Sequence, residues 1–148
     1  PYARVRSEFF IANLDKIRRA TLQAGAKFIL VSQQAAASPG GPILEADRLL
    51  RKGVPLSVEA EGIRKRLAAG EEVFSFEYSL LVHERMMQDA EAWAAKVGVE
   101  HVDAVEALDQ NRHYLLSWVH LHPEANKVLA ASIAVPVLKT YCSQTATN

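Results

Sequence analysis

The stretch Gly25-Ala26-Lys27-Phe28-Ile29-Leu30-Val31 decides how the chain reads. Its apolar run is too short for a helix and is followed by polar residues, so it reads as a buried strand of a parallel sheet. Just upstream, Phe10, Leu14, Ile17, Thr21 and Ala24 recur at helical spacing and put one apolar stripe on a helix over residues 7–24. Ser7 is its expected N-cap and Gly25 its expected stop. Helix, glycine and strand make half of an α/β unit. A second half follows downstream. Val82, Met86, Ala90, Trp93 and Val97 share one stripe of a helix over residues 76–97, and Gly98 closes it. Then Val99-Glu100-His101-Val102-Asp103-Ala104 alternates over the length of a strand.

Between the two units, Ser38-Pro39-Gly40-Gly41-Pro42 breaks both helix and strand and marks a loop after a strand end. A short helix is expected over residues 57–69, with Val58, Ile63 and Leu67 inward and Arg64-Lys65-Arg66 as a solvated basic end. A last helix starts at Pro123, aligns Ala125, Val128, Leu129, Ser132 and Ile133, and stops at Pro136. The expected fold class is therefore α/β, in a single domain.

Composition narrows the function classes. The chain has 148 residues, 49% hydrophobic and 23% charged, which suits one globular domain and not a disordered or collagen-like segment. Lys plus Arg and Asp plus Glu number 17 each, so no net field draws it to nucleic acid or to an anionic membrane. The lone Cys142 excludes an intrachain disulfide and a zinc site of several thiolates, and reads as an incidental thiol before a disorder-prone tail. No apolar run approaches the roughly 18 residues of a membrane span, and the first residues given are not a charged-then-apolar stretch of the kind a secretory signal has. The compartment stays open. Pro1 in first position is expected to mark a processed chain, a trimmed one, or the downstream piece of a longer protein.

The chemistry concentrates in Ser117-Trp118-Val119-His120-Leu121-His122-Pro123-Glu124-Ala125-Asn126-Lys127. A histidine just before a proline-started helix sits on a surface loop, where its imidazole can reach a substrate. This segment resembles the last sequence block of the SGNH (GDSL-type) hydrolases, whose usual form is Asp-x-x-His-x-x-Pro followed by a helix. Asn13-Leu14, Gly25 to Gln33 and Gly98 to Asp103 follow in the order in which that family lays out its last two core strands. The resemblance implies a serine esterase or acetyl hydrolase on a flavodoxin-like three-layer α/β/α sandwich with a parallel sheet, incomplete in this chain. Such an enzyme would act on a small ester or an O-acylated carbohydrate and would need no cofactor or metal. His120 would be the general base, and Ser117 stands where the family has its acid.

Ser117 can hold an imidazole N–H but brings no negative charge. Asp109 and Asp103 are the alternative carboxylates. The family's Gly-Asp-Ser block and its oxyanion-hole blocks are absent from these 148 residues. Ser32 and Ser38 have no such block around them. The nucleophile is therefore expected upstream of Pro1 or on a partner chain, in a segment that also covers an open sheet edge. The competing expectation is a non-catalytic α/β binding or scaffolding domain derived from that fold.

Other candidates read as structural. His122 is expected to face solvent or cap the Pro123 helix. His83, His101 and His113 are scattered without metal-ligand spacing. Trp118 is expected to pack under its loop. The Ser38–Pro42 loop lacks the order of a phosphate cradle but suits a substrate-facing position at a strand's C-terminal end.

Overall fold

The computed structural model describes residues 2–145, with side chains for residues 2–139. The side chain of Cys142 and residues 146–148 of the expected tail lie outside that description. In order, the elements are α1 (Tyr2–Gln23), β1 (Ile29–Val31), α2 (Glu45–Leu49), α3 (Leu56–Ala68), α4 (Ser75–Val97), β2 (Glu100–Val102), α5 (Ala104–Asp109), a 3-10 turn (Arg112–Tyr114) and α6 (Pro123–Thr145).

The two strands pair in parallel with Leu30 opposite His101, and they are the whole sheet among the described residues. The expected flavodoxin-like three-layer α/β/α sandwich is therefore not formed: the described residues are 64% helix and 6% strand. The reason is width. Two strands about 5 Å apart make a sheet no wider than one helix of about 10 Å diameter, so helices laid on it meet each other past its edges. Helix-to-helix packing dominates accordingly, with α4 against α1 and α3. α6 packs on β2 and α5.

Both strands enter from a helix that ends on a left-handed glycine. At Gly25 (φ 74°) the Ala26 amide returns to the Thr21 carbonyl at 3.1 Å, and at Gly98 (φ 68°) the Val99 amide returns to Ala94 at 2.9 Å. Such a cap reverses the chain within two residues and sends it back along the helix. Leu30 then packs with Ala90 and Ala94 of α4 and with Phe10, Ile11 and Leu14 of α1. A second cluster joins Ala35 and Ala37 to Leu56, Ile63 and Leu80, with Phe76 and Val119 at its border. Burying a leucine of this kind contributes about 1.5–3 kcal/mol.

The Ser32 amide donates to the Val102 carbonyl at 3.1 Å. The even alternation of a parallel ladder then turns Leu30 and Ser32 towards β2, and Ile29 and Val31 outward. No described residue pairs with the backbone of that outer edge.

Four local expectations are corrected. Ser7 is no N-cap: α1 begins five residues earlier, at Tyr2, and Ser7 is buried inside it, donating to Asp89 on α4 at 2.6 Å. Ile17 is exposed, because the buried face of α1 is rotated towards Ser7 and Leu14. The inner face of α3 is Leu56, Ala60 and Ile63, with Val58 and Leu67 exposed. Pro136 does not stop α6, which runs on to Thr145; the proline is buried, and packing holds the helix across its missing hydrogen bond. The basic end of α3 is also less free than expected, since Arg64 pairs with Glu84 and Arg66 with Glu77.

Candidate active site

The segment before α6 folds into a small hairpin. Leu115 and Leu121 form an antiparallel bridge, and the Leu116 amide donates to the His120 carbonyl at 2.7 Å, leaving Ser117-Trp118-Val119 at the tip. Two bonds tie this hairpin to the segment after β1: Ala36 amide to Trp118 carbonyl at 3.0 Å, and Ile43 amide to Leu116 carbonyl at 2.7 Å. Residues downstream of the strand end therefore fix the position of His120.

Ser117 Oγ lies 2.5 Å from His120 Nδ1, and the His120 amide donates to the same oxygen at 3.3 Å. Oγ thus braces both the backbone and the ring of one residue. His120 is exposed and Ser117 half-buried. With Nδ1 engaged, Nε2 is the ring nitrogen left for proton transfer.

Neither alternative carboxylate takes this place. Asp103 Oδ1 caps α5, accepting from the Val105 and Glu106 amides at 2.9 and 3.0 Å. Asp109 Oδ1 accepts from Gln34 Nε2 at 2.9 Å and from the Leu56 amide at 3.0 Å. Ser32 is also structural: it is buried, donates to Asp103 at 3.1 Å and accepts from the Ala104 amide at 2.9 Å. Ser38 is buried on the loop after β1. Among the described residues no carboxylate bonds to His120, and no cluster of three or more metal-ligating side chains occurs.

His83, on α4, is buried and has its Nε2 2.6 Å from the Gln33 carbonyl. A carbonyl only accepts, so Nε2 carries the proton. The ring also meets Trp118 edge-on at 6.3 Å, so one side chain touches both segments that hold His120. Trp118 is nonetheless 44% exposed, more open than a residue packed under its loop.

Burial pushes the His83 pKa below 6.5, against the opposing pull of the Gln33 carbonyl. Burial, then Lys52 and Arg48, do the same to His113. Once unfolded, both rings bind protons more readily. Their contribution to stability is therefore complete above pH 6.5 and is lost as the pH falls below it. The urea midpoint is expected to drop between about pH 7.5 and pH 5, and His83→Gln is expected to flatten that fall. An unchanged wild-type midpoint over this range contradicts the assignment.

His122 caps α6, its Nδ1 accepting from the Glu124 amide at 3.3 Å, and its ring stacks on Tyr114. His101 lies on β2 and His113 in the 3-10 turn. The residue that periodicity missed is Arg112, fully buried, which donates to Ala35 O at 2.6 Å, Val54 O at 3.0 Å and Glu59 Oε2 at 2.5 Å. It braces the start of the loop that carries the Ala36 anchor. Comparison of the chain with protein-family models, with curated proteins and with solved structures found no match.

Proposed function

We propose that this chain supplies the histidine half of a serine ester hydrolase of the SGNH type, with His120 as general base and Ser117 as its positioning residue. The observation that carries this reading is the 2.5 Å contact between Ser117 Oγ and His120 Nδ1, on a hairpin pinned to the strand end. The substrate is a small ester or an O-acyl group on a carbohydrate. The nucleophilic serine and the oxyanion donors come from a segment outside residues 1–148, of the same polypeptide or of a partner chain, that adds to the outer edge of β1. The unpaired backbone at Ile29 and Val31 supports that placement.

In this mechanism His120 Nε2 takes the proton of the incoming serine as its oxygen attacks the acyl carbonyl. It returns that proton to the alcohol oxygen as the ester C–O bond breaks. Water, deprotonated by the same nitrogen, then attacks the acyl-serine carbonyl, and that nitrogen returns the proton to the serine oxygen as its C–O bond breaks and the acid leaves. Throughout, Nδ1–H donates to Ser117, which fixes the tautomer without adding charge.

Ser117 variants test the assignment on a short-chain aryl ester. Ser117→Ala removes one hydrogen bond and is expected to lower kcat about tenfold. Ser117→Asp makes that bond charge-assisted and is expected to raise kcat by a similar factor, with KM unchanged in both. Equal kcat in all three forms rules Ser117 out as the brace.

The edge assignment has its own readout. In this chain alone, the Ile29 and Val31 amides are expected to exchange with deuterium much faster than those of Leu30 and Ser32, and to become protected when the completing segment is added. Protection of all four from the start contradicts a free edge.

A second reading, a non-catalytic binding module, draws on the same Ser117, because no described carboxylate supports the imidazole. It predicts no ester turnover by any of the three forms.

A further inference from the structure

A cavity of about 550 Å³ opens beside the anchored loop, walled by Pro39, Ile43, Leu44, Leu50, Val54 and Phe76. A second cavity, of about 250 Å³, shares Ser38, Pro39 and Phe76 with the first and reaches Trp118. The two adjoin at these shared residues, and the combined groove reaches from Trp118, on the hairpin that carries His120, to Leu50 at the end of α2, with His120 itself in neither wall. Its combined size falls within the range of small-molecule sites.

Several polar groups in its wall are already occupied. Arg51 donates to the carbonyls of Asp47 and Ala37 at 2.9 and 2.8 Å. Glu59 accepts from the Ala37 amide at 3.2 Å and from Arg112 at 2.5 Å. The Ile43 amide is spent on Leu116, and Pro39 and Pro42 have no amide to offer. That leaves the Ser38 hydroxyl, the Arg51 Nε, the exposed Asp47 carboxylate and, at the hairpin end, the Trp118 indole N–H, in a wall that is mostly apolar. Carbon lines the rest.

We propose that this groove binds an unbranched alkyl or acyl chain of medium length. Resting on the hydrolase reading above, that chain is the apolar part of the ester presented to His120. The groove's continuity with the hairpin argues for this occupant over an unrelated one, since a chain lying past Phe76 towards Leu50 leaves its head group beside Trp118.

The test uses n-butanol, n-hexanol and n-octanol as probes, with binding followed by NMR at the Trp118 indole and the Ile43 and Leu50 amides, and needs no hydrolysis. Each added methylene is expected to tighten binding about fourfold, the affinity equivalent of about 0.8 kcal/mol per buried CH₂. Leu50 is 76% exposed, so Leu50→Glu leaves the fold intact while placing a charge in the groove, and is expected to weaken octanol binding at least tenfold. Val5→Glu, on the exposed face of α1, is expected to leave it unchanged.

Affinity that rises with chain length and falls in Leu50→Glu supports the groove even if no ester is ever turned over. Flat affinity along the series, or a rise that Leu50→Glu does not disturb, overturns it without touching the hydrolase reading. Preferential binding of an oligosaccharide at the same resonances also overturns it.

Discussion

Arg112→Met is expected to destabilise the chain by about 3–5 kcal/mol, a large share of the roughly 5–15 kcal/mol that holds a domain folded. Among the described residues no other charged side chain hydrogen-bonds to three residues more than 50 positions away. The guanidinium is 0% exposed and reaches the Ala35 carbonyl, the Val54 carbonyl and the Glu59 carboxylate at once. Methionine fills similar space but leaves both carbonyls short of a donor, and leaves Glu59, whose side chain is only 19% exposed, without its main counter-charge. Arg51 stands 3.6 Å from Glu59, too far for a hydrogen bond to replace what is lost. Lysine is not a remedy, because one ammonium cannot reproduce the fork. Urea unfolding should show a lower midpoint with an unchanged slope. Glu59→Gln should cost less in the Arg112→Met background than in the wild type, since the two groups act as one unit. A midpoint shift worth under about 1 kcal/mol would show that the buried network is no more than a surface-grade pair.

On the proposed hydrolase reading, His120→Ala is expected to lower kcat of the chain joined to its completing segment by on the order of 10⁴-fold with little change in KM, because a general base acts in the transition state and hardly at all in ground-state binding. The side chain is exposed, so stability should be unaffected, and an unchanged urea midpoint separates lost chemistry from lost fold. Ser117→Ala should then add nothing, since there is no imidazole left to orient. Undiminished turnover in His120→Ala would remove His120 from the mechanism whatever else the chain does.

The parts of the fold that rest on short-range patterns were legible. Apolar recurrence located α1, α3 and α4, the glycine stops at Gly25 and Gly98 are real, and both strands lie within the stretches that suggested them. The number of strands was another matter. Helix, glycine, strand is a local rhythm, and it carries no information on how many neighbours a strand finds, so two units suggested a layered sheet that two strands cannot form. α5 was hidden by its neighbour: the alternation of β2 ran on into Ala104, although Asp103 followed three residues later by Glu106 is an N-cap signal. α2 carried a similar cue, with Glu45 and Asp47 in its first turn and Arg48 in its last.

At the candidate site, Ser117 and His120 are three residues apart, and a tight hairpin brings that spacing into contact. The long-range hydrogen-bond partners of Arg112, Gln34 and His83 lie 50 or more residues away along the chain, a separation at which one sequence shows no pattern.

The most direct measurement is covalent labelling by an activated alkylphosphonate, which reacts with a serine hydroxyl only when a neighbouring base activates it. The chain is studied together with the segment proposed to add to the outer edge of β1, and the adduct is located by mass spectrometry. One adduct per site is expected, on a serine outside residues 1–148, and none in His120→Ala. An adduct that persists without His120, one that falls on a serine of this chain, or no adduct at all contradicts the assignment of His120 as the base of a serine hydrolase.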